Sequence, residues 1–203
     1  MTNTKVAAVA PIALAVALSL LVTILIVRGA SASTTATTVS SSLSSVIGLL
    51  SSNGTVTINA TPTAAGVQTI ANDVVTVSTN NAAGYTLKIA ETGASSALVS
   101  GGNSIPASSG TFASPIAQVV NTWGYRVDGV GGFGASATSA ANNTAIGAIK
   151  FAAVPATASP DTLKTTASTA SNDTTSIWYG VAVNTSTPAG TYTNSVTYTA
   201  TTN

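Results

Sequence analysis

Short segments in which polar and apolar residues alternate recur along the chain from Thr55 onward. In residues 177–183, Ile177, Tyr179 and Val181 occupy every second position. Successive side chains of a β-strand point to opposite faces, so this period of two predicts strands with one buried and one solvated face. Clusters of Gly, Pro, Asn and Ser between the segments predict turns. The pattern therefore predicts an all-β fold, an antiparallel β-sandwich of the Ig-like or jelly-roll-like kind, over residues 55–203.

Two pairs of alternating segments are separated by turn-like sequences. Residues 74–78 and 85–90 flank a loop that contains Gly84 and predict a β-hairpin. Residues 177–183 and 192–199 predict a second antiparallel pair. Each pair should therefore contribute two neighbouring strands to one sheet.

The expected core consists mainly of aromatic residues on the predicted strands, because these side chains bury the most apolar area. Its members are Trp123, Tyr125, Phe151, Trp178 and Tyr179. Long stretches rich in Ala, Ser and Gly, at 92–118 and 129–147, are predicted to be loops.

An apolar segment at residues 6–27 precedes this region, with no charged residue in it and with Lys5 and Arg28 on its flanks. Its 22 residues exceed the ~7–15 of a signal-peptide core and reach the ~20 of a membrane-spanning helix. Ala30-Ser31-Ala32 matches a signal-peptidase site. We therefore expect an N-terminal hydrophobic helix, with residues 1–32 either a cleaved signal peptide or a retained membrane anchor. A prepilin-type leader is a third alternative.

Residues 33–54 are rich in Ser and Thr and form a predicted arm or stalk. The segment has a helix-like apolar spacing, but Ser and Gly between the apolar positions lower its helix propensity. Its apolar members are Val39, Leu43, Val46, Ile47 and Leu50. The alternatives are a helix, a flexible spacer, or an extended arm that pairs with another subunit.

The composition excludes several classes of function. The 203-residue chain has six basic and five acidic residues, no Cys and no His. Without clustered Lys and Arg it cannot bind nucleic acid by neutralising phosphates. Without Cys and His it lacks disulfides, thiolate metal sites and the commonest general base. We therefore expect a non-enzymatic protein with no catalytic residues, no cofactor and no metal.

One glycine-rich motif, Gly129-Val-Gly131-Gly-Phe-Gly134, matches the dinucleotide-binding pattern G-x-G-x-x-G. No amphipathic helix follows it, and no acidic residue lies about 20 residues further on, as that pattern requires. The motif therefore predicts a flexible loop and not a cofactor site.

Five N-x-S/T sequons make the chain a candidate glycoprotein if its host glycosylates surface proteins. They begin at Asn53, Asn59, Asn142, Asn172 and Asn184. The two tryptophans, Trp123 and Trp178, are expected in the core, with an aromatic platform for a sugar or an apolar partner as the alternative.

Three parts of the sequence resemble WxL-like secreted surface β-sandwich proteins, a group of exported proteins from small-genome bacteria. They are residues 74–87 (VVTVSTNNAAGYTL), the Trp123-Gly-Tyr125 strand, and residues 177–200 with their Pro188-Ala-Gly turn. The resemblance implies an exported β-sandwich at the cell surface. The Trp-x-Leu motifs themselves are absent, so peptidoglycan attachment and binding residues are not carried over.

We expect an exported, extracellular or cell-surface protein with a structural or adhesive function. Its partners would be the cell envelope or other copies of itself, in a fibre or pilus-like filament assembled by strand donation. The alternative is a carbohydrate-binding module or glycan-active surface protein whose partner is a glycan. Contact with a membrane is expected only through residues 6–27, if they are not cleaved.

Overall fold

A computed structural model describes residues 35–203, which form twelve β-strands and no helix. Residues 35–203 therefore contain no helix able to cross a membrane. The expected hydrophobic helix and signal peptide or anchor lie outside the described residues. Leu43–Asn203 is one compact unit, whereas residues 35–42 are exposed and contain no strand. The strands are β1 Ile47–Ser51, β2 Val67–Thr79, β3 Tyr85–Glu91, β4 Leu98–Ser100, β5 Asn103–Ile105, β6 Ile116–Ala117, β7 Thr122–Arg126, β8 Ala141–Thr144, β9 Lys150–Phe151, β10 Asp161–Thr165, β11 Ala170–Val183 and β12 Val196–Thr202.

Two antiparallel sheets supply most of the fold. The larger has the order β1-β2-β11-β7, and β8 pairs with β2 on the same edge as β1. The smaller has the order β10-β3-β12, and the pairs β4-β5 and β6-β9 complete the set. The expected all-β, antiparallel class is confirmed, and two sheets that share one core are consistent with a β-sandwich.

The core lies between the two sheets. Val75, Val77 and Ile177 of the larger sheet meet Leu87 and Ile89 of the smaller one, and all five are fully buried. Burial of each such side chain contributes about 1.5–3 kcal/mol. Most of the expected aromatic core is buried, namely Trp123, Tyr125, Phe151 and Tyr179, whereas Trp178 is half-buried.

The two predicted strand pairs are wrong. β2 and β3 lie in different sheets, and residues 80–84 cross between them. β11 and β12 likewise lie in different sheets. Both edges of β2 and β11 are already paired with other strands, so neither has an edge left for its neighbour in sequence. Gly84 ends the first crossing, and its conformation favours glycine because its φ is +83°. An added Cβ would also lie 2.3 Å from the Thr166 carbonyl oxygen.

The predicted loops 92–118 and 129–147 contain four short strands, β4, β5, β6 and β8. Pro106, in the first of these ranges, and Ala152, beyond the second, also close the outer edge of β7. The Trp123 amide donates to the Pro106 carbonyl, and Tyr125 and Ala152 exchange both backbone hydrogen bonds. An edge strand with bonded N–H and C=O groups cannot template aggregation, so these segments protect the sheet.

Two paired glycines flatten the outer face of the larger sheet. Gly124 of β7 is opposite Gly180 of β11, and Phe151 lies against both. A Cβ at Gly180 would lie 2.6 Å from Phe151 Cζ, and a Cβ at Gly124 would lie 3.1 Å from Phe151 Cβ. Only glycine allows the aromatic ring to approach the strands this closely.

We expect Gly180→Ala to lower the free energy of unfolding by about 1–3 kcal/mol, because the added methyl group overpacks against Phe151. Urea or thermal unfolding measures the change. Gly102→Ala is the matched control: no atom lies within 4 Å of its added Cβ, so a change within about 0.5 kcal/mol is expected. Equal stabilities of the two variants would contradict the packing of Phe151 on the glycine pair.

Candidate assembly interface

The first strand of the larger sheet comes from the Ser/Thr-rich arm. Ile47–Ser51 pairs antiparallel with residues 75–79 of β2. The sequence placed this segment outside the sandwich domain of residues 55–203, so the folded unit begins earlier than predicted. The helix-like spacing was misleading, because Ile47 packs against the core while Leu49 and Leu50 are 42% and 68% exposed.

Two side chains, at the last residue of β2 and directly after it, bind the residues of the arm that precede β1. The Asn80 side-chain oxygen accepts a hydrogen bond from the Val46 amide at 2.7 Å, and Asn80 Nδ2 donates to the Ser44 carbonyl at 2.9 Å. Thr79 Oγ1 donates to the Val46 carbonyl at 2.7 Å. The side-chain amide of Asn80 thus makes the two hydrogen bonds that a backbone residue of the ladder would make, and it extends the pairing of β1 by three residues.

A buried carboxylate fixes the end of the arm. Asp73 is 2% exposed, and its carboxylate accepts hydrogen bonds from Ser51 Oγ at 2.6 Å, Ser52 Oγ at 3.0 Å and the Asn53 amide at 3.1 Å. Burial raises the pKa of Asp73, but these hydrogen bonds outweigh burial and hold the pKa below its ordinary value. Asp73 is therefore an anion at neutral pH and binds three consecutive residues of the arm. We call Asp73, Thr79 and Asn80 the arm clamp.

The outer edge of β1 is open within the described residues. The hydrogen bond from the Ser52 amide to the Val74 carbonyl sets the ladder, so Ile47, Leu49 and Ser51 direct their backbone N–H and C=O groups away from β2. No strand in residues 35–203 pairs with that edge; β12 lies near β1 but belongs to the other sheet and makes no ladder with it. An open edge beside exposed apolar side chains is a surface suited to pairing with another chain. The exposed side chains are Leu43, Val46, Leu49 and Leu50.

Three further aspartates each have their own hydrogen-bond partners. Asp128 accepts hydrogen bonds from Arg126 and Thr138. Asp161 accepts one from the Tyr125 hydroxyl at 2.7 Å. Asp173 accepts hydrogen bonds from Lys164 and from the Tyr85 hydroxyl. Among residues 35–203, no group of three or more acidic residues could hold a metal ion. Burial raises the pKa of Asp161, whereas hydrogen bonds from Thr138 and Arg126 outweigh burial at Asp128 and lower its pKa.

Glu91 has a different environment, because one of its carboxylate oxygens is buried without a hydrogen-bond partner within residues 35–203. The residue is 3% exposed, and its Oε1 has no hydrogen-bond partner among the described residues. Burial raises the pKa of Glu91. No sequence pattern indicated this burial, since Glu91 follows the alternating segment 85–90.

The glycine-rich loop is built around a cation. Arg126 is 3% exposed. Its guanidinium donates hydrogen bonds to the Phe133 carbonyl at 2.7 Å and to the Ser136 carbonyl at 2.9 Å. The guanidinium also lies over the Phe133 ring. The amides of Gly129, Gly132 and Phe133 donate to other backbone carbonyls. A phosphate-binding loop needs free N–H groups directed at the anion. This loop directs carbonyl oxygens at a guanidinium and therefore has the opposite polarity.

The two tryptophans have different environments. Trp123 is buried, and its Nε1 donates to the Ser96 carbonyl at 2.8 Å, so it belongs to the core. Trp178 is half-buried and points to the opposite face of β11 from buried Ile177 and Tyr179. Of the two tryptophans, Trp178 alone is thus accessible to a ligand.

Four sequon asparagines are exposed, namely Asn53, Asn59, Asn142 and Asn172, and Asn184 is partly exposed. Asn59 and Asn142 lie in one shallow groove, lined also by Thr57, Thr69 and Ala141. Asn184 Oδ1 accepts from the Ser186 amide at 3.0 Å and from its hydroxyl at 2.7 Å, in a local turn. Glycosylation at these positions stays a prediction.

No family model, curated protein or solved structure matches this chain. The resemblance to WxL-like proteins therefore stays a prediction, and the function must be argued from the geometry. The most distinctive arrangement is the arm clamp with the open edge of β1.

We expect Asp73→Ala to release the end of the arm, because three hydrogen bonds to a buried carboxylate disappear. Loss of about 2 kcal/mol of local stability corresponds to hydrogen exchange about 30-fold faster at the amides of β1. Hydrogen–deuterium exchange with mass spectrometry measures it. Asp128→Ala is the control, since it should loosen residues 128–138 and leave β1 unchanged. Unchanged exchange of β1 in Asp73→Ala would contradict the clamp.

We expect Glu91→Gln to raise the Tm at about pH 7, because glutamine fills the same volume without a buried charge. The folded-state pKa lies above the ordinary value of 4.5, so the folded state binds more protons between the two pKa values. Stability of the native sequence therefore falls as pH rises through that window, and the advantage of Glu91→Gln should vanish below pH 4.5. A pH-independent difference in Tm would show that the charge is not responsible.

Proposed function

We propose that this protein is a non-enzymatic, exported structural or adhesive protein of the cell surface, whose copies assemble by exchange of β1. The observation that carries the proposal is the arm clamp. It binds one short strand at the edge of the larger sheet by a backbone ladder and by the side chains of Asp73, Thr79 and Asn80.

The connection after β1 supports exchange. Residues 52–55 form an exposed bend, whereas Val56, Ile58 and Ala60 pack against the core. If the chain straightens after Asn53, β1 leaves its own sheet together with Ser52 and Asn53 and can enter the same position in a second copy. Every ladder and clamp contact that now forms within one copy would then form between two copies. Such a head-to-tail contact generates a ring or an open filament.

Sequence and surface chemistry fit this role. The apolar segment 6–27 provides export or anchoring, and the absence of Cys and His from the sequence removes the groups most open to oxidation and metal binding. Export, the cell-surface location and the Ig-like or jelly-roll-like subtype of the fold are parts of this proposal. The envelope or other copies of the chain are the proposed partners.

A carbohydrate-binding module is the second proposal, supported by the half-buried ring of Trp178 on the outer face of the larger sheet. Sugar-induced quenching of tryptophan fluorescence that Trp178→Ala abolishes would support it. A glycan array without hits would contradict it.

Disulfide trapping tests strand exchange, because the sequence contains no cysteine. Leu50 and Thr76 are Cα partners across β1 and β2, a spacing that a disulfide can bridge. We expect a mixture of isotopically labelled Leu50→Cys and unlabelled Thr76→Cys protein to form mixed disulfide dimers after incubation at high concentration and mild oxidation. Mass spectrometry separates these dimers from those of one variant alone.

Thr86 and Thr201 supply the matched control, since they are Cα partners across β3 and β12, within the smaller sheet. A mixture of Thr86→Cys and Thr201→Cys should give only background dimers. The doubly substituted Leu50→Cys/Thr76→Cys protein should close within one chain when dilute. Mixed dimers at the control level, together with an absence of filaments in electron micrographs, would overturn the proposed assembly.

A further inference from the structure

The bend after β1 contains the one Asn-Gly dipeptide of the 203-residue sequence, Asn53-Gly54. Both residues are exposed, and no atom lies within 4 Å of a Cβ added to Gly54. Among residues 35–203, the Gly54 amide has no hydrogen-bond acceptor. An unhindered backbone amide directly after an asparagine can attack that asparagine's side chain, because glycine places no Cβ in the path.

We infer that Asn53-Gly54 is a site of spontaneous self-modification that loosens the arm. The Gly54 nitrogen attacks Asn53 Cγ, a C–N bond forms, and the bond from Cγ to Nδ2 breaks. Ammonia leaves with the proton of the Gly54 amide, and a five-membered succinimide remains. Water then opens the ring at Cγ to give aspartate, or at the backbone carbonyl to give isoaspartate, so the net reaction consumes one water and releases one ammonia.

Both products disturb the contacts that hold this end of β1. Asn53 Nδ2 donates to the Asn72 carbonyl at 3.2 Å, and the Asn53 amide donates to Asp73 at 3.1 Å. A new carboxylate at residue 53 would face the Asn72 carbonyl oxygen and lie beside the anion of Asp73, and like charges repel. Isoaspartate also lengthens the backbone by one carbon between Cα of residue 53 and the Gly54 nitrogen, one residue after Ser52, which donates to Asp73. The reaction therefore weakens the clamp in ageing protein.

This inference deepens the proposed function and rests on it in one respect: a loosened arm should exchange faster between copies. The covalent reaction itself does not depend on assembly. A glycan at the Asn53 sequon would occupy Nδ2 and block the leaving group, so the test uses unglycosylated protein.

The covalent step is tested by incubating the purified protein at mildly alkaline pH and following peptide masses. We expect the peptide with Asn53 to gain the mass difference between amide and carboxyl, and Gly54→Ala to slow this gain at least several-fold. Gly54→Ala should fold normally because its added Cβ has open space. Absence of the mass gain, or an equal rate in Gly54→Ala, would overturn the inference.

The effect on the arm is tested with Asn53→Asp, which mimics the aspartate product, and Asn53→Gln as the neutral control. We expect hydrogen exchange at the β1 amides to be several-fold faster in Asn53→Asp and in aged protein than in Asn53→Gln. Formation of mixed Leu50→Cys and Thr76→Cys dimers should accelerate in the same order. Exchange of β1 in Asn53→Asp equal to that of Asn53→Gln would overturn the loosening. A complete lack of mixed dimers in every variant would overturn the proposed assembly alone.

Discussion

The pairing of β2 with β11 is the constraint on which the rest of this fold depends. The two strands run antiparallel from Val67 opposite Val183 to Thr79 opposite Ala170. Since β7 occupies the other edge of β11, and β1 and β8 occupy the other edge of β2, no edge remains for β3 or β12. These two strands must pair with each other in the second sheet, and the core forms where the two sheets meet.

The aspartates of this chain share one kind of hydrogen-bond donor, the hydroxyl group. Each aspartate of the sequence accepts a hydrogen bond from at least one hydroxyl: Asp73 from Ser51 and Ser52, Asp128 from Thr138, Asp161 from Tyr125 and Asp173 from Tyr85. Charge-assisted hydrogen bonds are stronger than those between neutral groups. A chain rich in Ser and Thr, with a few well-placed Tyr, can thus bury carboxylates without a cation for each one, which suits a protein whose composition is only 5% charged.

The sequence predicted which side of a strand is buried better than which strands pair. Alternation identified the buried face of residues 177–183, because a period of two depends only on local geometry. The partner of a strand depends on which edges are already occupied, and both predicted pairs failed for that reason. The sequence predicted only part of the candidate interface. It indicated the arm at 33–54 but not the clamp residues Asp73 and Asn80, because their contacts join residues more than 20 positions apart in the chain.

The arm clamp also sets the energetics of the proposed assembly. When β1 is exchanged, the contacts that are broken within one copy form again between two copies. The ladder and the clamp by themselves therefore favour neither the closed monomer nor the assembled state. The closed state has the advantage of the short bend 52–55, which gives β1 a high effective concentration at its own sheet, of the order of millimolar for short linkers. Assembly must therefore be favoured by crowding of copies, by contacts of the exposed Leu43, Val46 and Leu50, or by a bend that resists the closed conformation. If residues 6–27 attach the protein to a cell surface, as proposed, its copies would be concentrated in two dimensions, and attachment and assembly would be coupled through the same N-terminal segment.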